Sequence, residues 1–237
     1  MKKPQLFLFH FAGGNRYSFR FLEPWLKDFE PIPLELPGRG KRMGEMLLRD
    51  LNSAANDLFR QVTGKLSDHN FLFYGHSMGA YLALRVARMC EEAGKLPSNV
   101  VVSGNAGPGI RKGKDRFLLS REDFVSELKR LGGIPEEFLN DSELFELFEP
   151  VLRSDFEIAD RNKMDNEAAI TAPLFAMMGS EEEDTESISN WAKYTHGSFD
   201  YEIMPGDHFF IHQHPDRIAE IIKKQYNLFL SLKTMHI

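Results

Sequence analysis

The sequence predicts an α/β fold: a mainly parallel central sheet with helices on both faces. Three observations carry this. Short apolar runs at Leu6–His10, Pro31–Leu36, Asn70–Tyr74, Asn99–Ser103, Pro173–Met178 and Phe199–Met204 read as strands. Several are continuously apolar rather than alternating, the pattern of a strand buried on both faces. Between them lie stretches of helical period at Tyr17–Lys27, Leu51–Leu66, Ala80–Ala93, Ser187–Tyr194 and Pro215–Leu232. Regular alternation of strand and helix places the helices on either side of a parallel sheet.

One segment breaks the rhythm. From about Lys112 to Asp165 no strand is legible, only short helical stretches at Arg121–Leu131 (after a cap at Ser120), Pro135–Leu139 and Ser142–Asp160. An ordinary connection in such a sheet is far shorter. The segment reads as a helical lid insertion, about 112–165, lying over the strand ends where open α/β folds bind ligands. Its apolar residues Phe124, Leu128, Phe138, Phe145 and Phe148 either face a channel or pack the insertion onto the core, the usual role of a helical apolar stripe.

The 237 residues fit a single domain, 1–237, that includes this insertion. A formal net charge of −6 argues against nucleic acid bound through bulk charge, which needs a basic footprint. Cys90 is the only cysteine, so no intramolecular disulfide can form, in keeping with a reducing compartment. The apolar run after Met1-Lys2-Lys3-Pro4 is too short for a signal peptide. No apolar stretch reaches the roughly 18 residues of a membrane span. The expectation is a soluble, cytoplasmic protein. No His/Cys/Asp/Glu spacing resembles a metal site, and His212-x-His214 alone is weak.

The strongest local signal is Gly75-His76-Ser77-Met78-Gly79, which follows the run Phe71–Tyr74 and precedes the small, apolar helix Ala80–Ala87. This is G-x-S-x-G in the strand–turn–helix setting that a nucleophilic serine requires. Side chains at Gly75 and Gly79 would crowd a sharp turn that lifts Ser77 above the sheet edge. The helix start then presents free N–H groups and a positive dipole end toward a developing oxyanion.

The base is chosen among eight histidines. In such folds the triad runs serine, acid, histidine along the chain, with the histidine in the loop after the last strand. Phe199–Met204 is that strand and Pro205-Gly206-Asp207-His208 the turn after it, which selects His208. His212 and His214 sit further from the strand end and read as surface or helix-start residues. His10 reads as structural and His76 as a packing or gating residue. His69, His196 and His236 read as surface positions.

The acid is expected after the strand Pro173–Met178, within Gly179-Ser180-Glu181-Glu182-Glu183-Asp184. It holds the imidazole in one tautomer and stabilises the imidazolium, and either acid type serves in this fold. Asp207 adjoins the histidine but would point away. One oxyanion donor is the backbone N–H of Met78; the second comes from Phe11-Ala12-Gly13-Gly14-Asn15, whose glycines allow close backbone approach. No lysine-serine or lysine-threonine pair follows, so these glycines are not a P-loop.

With these residues placed, the chain resembles the type II thioesterases, stand-alone α/β-hydrolase-fold enzymes that accompany nonribosomal peptide and polyketide synthases. The resemblance covers nearly the whole chain. It rests on Phe11–Gly14, Glu35-Leu36-Pro37-Gly38-Arg39-Gly40-Lys41-Arg42, the elbow Gly75–Gly79, and Ser103-Gly104-Asn105-Ala106-Gly107-Pro108. Leu131-Gly132-Gly133-Ile134-Pro135-Glu136-Glu137, Leu152-Arg153-Ser154-Asp155-Phe156 and Gly206-Asp207-His208-Phe209-Phe210 complete it. It implies hydrolysis of acyl or aminoacyl thioesters from the 4'-phosphopantetheine arm of carrier domains, clearing misprimed groups, with no cofactor of the enzyme's own. It also implies Ser77 and His208 as triad members, the backbone of Ala12 and Met78 as oxyanion hole, and a mobile lid. The family's acid is an aspartate about three residues past the strand-ending glycine. Here spacing favours Glu182 and residue type favours Asp184, and the reading taken is Asp184. A general carboxylesterase or a product-releasing thioesterase would use the same residues. Carrier domains are acidic, so Arg16, Arg20, Arg39, Lys41, Arg42, Arg111, Lys112 and Lys114 are candidates for a docking surface on a monomeric enzyme.

Overall fold

A computed structural model describes residues 2–67, 70–110 and 115–234, with side chains through residue 231. Arg111, Lys112, Lys114, His69 and His236 lie outside the described residues. The strands are β1 (Gln5–Phe9), β2 (Glu30–Pro33), β3 (Phe71–His76), β4 (Val100–Ser103), β5 (Leu174–Gly179) and β6 (Phe199–Met204). They form one sheet in the order β2-β1-β3-β4-β5-β6, and every neighbouring pair runs parallel. Each apolar run expected to be a strand is one. β2 ends at Pro33, short of the end of its apolar run at Leu36; it is the edge strand, where Pro31 and Pro33 are tolerated.

Alternate residues of the strands feed two cores, as the two-residue period of a strand requires. Phe7, Phe9, Phe71, Phe73, Val100 and Val102 pack against α1 (Leu51–Lys65) and α2 (Met78–Glu92). Leu6, Leu8, Leu72, Tyr74, Val101 and Phe175 pack on the other face against α6 (Pro215–Thr234) and Leu22. Each fully buried side chain of this size stabilises the fold by about 2 kcal/mol. α1 starts where Asp50 accepts the Ser53 N–H.

Two expected helices differ in kind. Tyr17–Lys27 is a turn followed by a 3-10 helix at Arg20–Trp25, because Pro24 cannot continue an α-helical ladder. Ser187–Tyr194 falls within a 3-10 run, Thr185–Tyr194, pinned sideways by Asn190 and Trp191, which donate to carbonyls of Asn105, Ala106 and Pro108.

The insertion follows β4. A short 3-10 turn (Arg116–Leu118) leads into α3 (Arg121–Leu131), α4 (Glu136–Asn140) and α5 (Ser142–Asp160). Ser120 caps α3 by accepting the Asp123 N–H, and Asp141 caps α5 by accepting from Glu143 and Leu144. Phe117, Phe124, Leu128, Leu139, Phe145, Leu152 and Phe156 give the insertion its own core. Phe124 and Phe145 therefore pack rather than line a channel, and Phe138 meets Phe148 edge-on. Among the described residues no helix is long and apolar enough to cross a membrane.

Candidate active site

Ser77 is the whole connection between β3 and α2, and it stands at φ +56°, ψ −117°. A non-glycine residue held there is strained and has to be fixed by its surroundings. A side chain on Gly75 would run into the Gly79 carbonyl, and one on Gly79 into the carbonyls of Phe9 and His10 at the end of β1. The Ser77 N–H donates to the Ser103 carbonyl at 2.7 Å. The Ser77 carbonyl accepts from Asn105 Nδ2 at 2.9 Å. Asn105 is tied in turn by its Oδ1, which accepts the Gly107 N–H, and by its carbonyl, which accepts Trp191 Nε1. Sequence reasoning quoted Asn105 within a motif without giving it this task; its place just after β4, beside β3, is the signal.

His208 lies in the turn after β6, its Nε2 2.9 Å from Ser77 Oγ and its Nδ1 2.6 Å from Glu182 Oε2. A carboxylate only accepts, so Nδ1–H donates to Glu182 and the bare Nε2 accepts the Ser77 hydroxyl. Of the two acids left open, the one at the imidazole is Glu182, not the favoured Asp184. Glu182 Oε1 also accepts the Gly179 N–H at 2.9 Å, which anchors the longer side chain to the end of β5. Asp184 stands two residues on in the left-handed region (φ +62°) and starts the 3-10 run, its carbonyl accepting the Ser187 N–H. Asp207 points away from the imidazole, its Oδ1 accepting the Phe209 N–H.

His76 lies tilted beside His208, ring centroids 5.0 Å apart, and Gly104 leaves room for both rings. Its Nδ1 bonds Ser103 Oγ, which also meets the Tyr74 hydroxyl. Burial holds the His76 imidazole well below its ordinary pKa, and the neighbouring His208 adds to this. A neutral ring therefore adjoins the imidazolium that forms on His208. His10 donates from Nδ1 to the Phe11 carbonyl at 2.9 Å; burial, and then Arg39, lower its pKa to about 4. His212 stacks on Phe209, and His214 donates to the Pro205 carbonyl. Among the described residues no cluster of His, Cys, Asp or Glu is arranged to hold a metal ion.

Ser77 and His208 open on a cavity of about 90 Å³ whose other walls include Ala12, Gly13, Leu128, Leu131 and Phe156. The loop after β1 and the insertion thus close over the serine together. Met78 begins α2, so its N–H belongs to the first turn, whose amides lack intrahelical acceptors. Ala12 lines the same cavity as Ser77. Of the basic residues considered for docking, Arg39 is buried against Asp155 and unavailable to a partner. Arg42 is held by Asp57 and Glu45. Arg20 and Lys41 are exposed and Arg16 half-exposed, with Arg20 lying over the Tyr17 ring.

Comparison with known proteins places this geometry. Residues 4–226 match the thioesterase domain family. The chain is 31% identical to the gramicidin S biosynthesis protein GrsT of Aneurinibacillus migulanus, over 98% of this chain and 92% of that protein. The type II thioesterase BorB of the borrelidin biosynthetic cluster superposes with a TM-score of 0.86 at 30% identity, covering 94% of this chain and 93% of that one. RedJ, a thioesterase from the prodiginine pathway of Streptomyces coelicolor, superposes with a TM-score of 0.86 at 28% identity, over 93% and 85% of the two chains. A six-stranded parallel sheet with a serine elbow, a histidine after its last strand and a helical insertion is the α/β-hydrolase architecture, and the chain belongs to the thioesterase family, a serine hydrolase similar to the type II enzymes of nonribosomal peptide and polyketide pathways.

Proposed function

We propose that the chain hydrolyses acyl or aminoacyl thioesters from the 4'-phosphopantetheine arm of carrier domains, clearing misprimed groups so that a nonribosomal peptide or polyketide synthase can resume. The observation that carries this reading is the run Ser77–His208–Glu182, at 2.9 and 2.6 Å, opening on a small apolar cavity beneath a helical insertion. His208 takes the Ser77 proton as Oγ attacks the thioester carbonyl. Glu182 stabilises the imidazolium. The N–H groups of Met78 and Ala12 hold the tetrahedral oxyanion. The pantetheine sulfur leaves as a thiol, protonated by His208, and water activated by the same imidazole releases the acid and frees Ser77. Thioester cleavage by this route needs no metal or cofactor. The partner is an acidic carrier domain, met in the cytoplasm by a monomer that binds neither nucleic acid nor membrane.

The test is a carrier domain loaded with an acetyl-phosphopantetheine arm, its deacylation followed by intact mass with wild type and Ser77→Ala, beside p-nitrophenyl acetate as a simple ester. Deacylation that vanishes in Ser77→Ala and outpaces the ester supports the reading. Ester turnover without carrier deacylation moves the function to a small-molecule carboxylesterase. Strong preference for one long finished chain moves it to product release.

A further inference from the structure

The stretches Glu35–Arg42 and Leu152–Phe156 are 116 residues apart at their charged members, and in the fold those members meet. Asp155, fully buried on α5, accepts two N–H groups of the Arg39 guanidinium, Nη1 to Oδ2 at 2.5 Å and Nη2 to Oδ1 at 2.8 Å. The same Oδ2 accepts the backbone N–H of Gly13 at 2.8 Å, and Arg39 Nη1 donates to the Gly14 carbonyl at 3.2 Å. Leu152, one turn earlier on α5, fills the space a side chain on Gly13 would take. On the near side of the loop, His10 holds the Phe11 carbonyl. Ala12 thus sits between a carbonyl held by His10 and an amide held by Asp155. A Gly-Gly loop is otherwise conformationally free, with Gly13 at φ +75°.

We propose that Arg39 and Asp155 are positioning residues for the oxyanion hole: their ion pair clamps the Gly13–Gly14 peptides and so aims the Ala12 N–H at the oxygen developing on the Ser77 adduct. The inference rests on the reading of Ser77 as nucleophile and Ala12 as oxyanion donor. An ionised acceptor makes the stronger bond to the Gly13 amide, and the paired guanidinium offsets the cost of burying the carboxylate. Because Asp155 belongs to the insertion, the oxyanion loop is complete only while α5 is seated. Lid and oxyanion hole are therefore one mechanical unit.

The experiment compares wild type, Asp155→Asn and the double variant Arg39→Met/Asp155→Leu by thermal midpoint, kcat, KM and pH–rate profile. The substrates are p-nitrophenyl acetate and an acetyl-N-acetylcysteamine thioester. The double variant separates the two possible roles. Replacing a buried ion pair by apolar side chains commonly leaves stability intact, yet it removes the acceptor at Gly13. Expected is a fall in kcat of about 10²-fold, the scale of a lost oxyanion donor. KM should stay within about twofold, as befits an interaction made in the transition state, and the pH–rate profile should keep its shape because His208 and Glu182 are untouched. Recovery of kcat together with the thermal midpoint in the double variant overturns the proposal in favour of a purely structural pair. A rise in KM at full kcat overturns it in favour of substrate contact. Should both variants unfold, Arg39→Lys keeps the buried charges balanced but cannot span Asp155 and Gly14 together. A lower kcat at constant KM there supports the clamp, and an unchanged kcat overturns it. Wild type against Ser77→Ala tests the underlying reading separately: no Ser77-dependent turnover overturns that reading and the clamp with it.

Discussion

Glu182 Oε2 lies 2.6 Å from His208 Nδ1 while Oε1 of the same carboxylate accepts the Gly179 N–H, so the acid is held at both oxygens. Its side chain is 1% exposed, so these two bonds rather than water satisfy its oxygens. Glu182→Gln replaces the acceptor by an amide that supports the wrong imidazole tautomer, and kcat should fall by about 10³–10⁴-fold, the scale of this change in serine proteases. Asp184→Asn, at the start of the 3-10 run, should stay within about threefold of wild type, as a change away from the reacting groups does. Steady-state kinetics on p-nitrophenyl acetate decides; equal losses in the two variants would remove Glu182 from its assigned place.

The reason the acid was hard to read lies in the loop itself. Glu181, Glu182, Glu183 and Asp184 are alike in type, and only the path of the chain after Gly179 selects which of them turns inward. Backbone bonds from Ser180 to Met204 and from Glu181 to Gly206 fix that path, and they depend on β6 lying beside β5. Ser77 and His208 were legible because each is marked by its neighbours in sequence: strand before and helix after for the serine, last strand before for the histidine. The pairing of Arg39 with Asp155 has no such local mark. It depends on how an insertion docks, and no periodicity encodes that. The strands were legible because burial on both faces leaves a continuous apolar run. The helical stretch at Ser187–Tyr194 was legible too, but its 3-10 form was not, because that shape follows from bonds to the loop after β4.

His10 gives the fold a weakness in acid. Its pKa is lowered from about 6.5 to about 4, chiefly by burial and then by Arg39, with Asp155 and Glu35 opposing. The folded state thus resists a proton that the unfolded state accepts. Stability falls as pH drops from about 6.5 to about 4 and loses nothing more from this group below that. The full loss is about 3 kcal/mol. His10→Asn keeps a donor for the Phe11 carbonyl but cannot be protonated. Its thermal midpoint should be lower than wild type at pH 7 yet fall less steeply between pH 7 and pH 5. Parallel slopes would assign the acid loss to other groups, with the buried His76 the first to examine.

Gly79 and Gly64 are both helical glycines and should respond oppositely to alanine. A methyl on Gly79 meets the backbone carbonyls of Phe9 and His10, which cannot move without breaking β1 from β3. Gly79→Ala should cost more than about 3 kcal/mol, in the range of a mutation that forces the backbone apart. A methyl on Gly64, exposed near the end of α1, meets nothing within 4 Å. Gly64→Ala should be neutral or stabilise by up to about 1 kcal/mol through helix propensity. Urea unfolding of the two variants measures both signs.

The end of the cavity over Ser77 should set acyl length. Leu128 and Phe156 are part of the insertion's core, so truncating either would disturb the insertion's packing. Leu131 is only half-buried and lines the same cavity, which makes it the cleaner probe. A cavity of about 90 Å³ favours short acyl groups, and Leu131→Ala enlarges it. The ratio of kcat/KM for octanoyl over acetyl N-acetylcysteamine thioesters should rise about tenfold or more, since one methylene in an apolar pocket discriminates by 10-fold upward. A profile unmoved by Leu131→Ala would mean that the acyl chain leaves Ser77 by another path. The groove on the far side of Gly13, walled by Met43, Leu47, Leu147 and Phe148, is then the place to look. Leu147→Asp would separate the two routes, depressing turnover of long acyl groups only if they run through that groove.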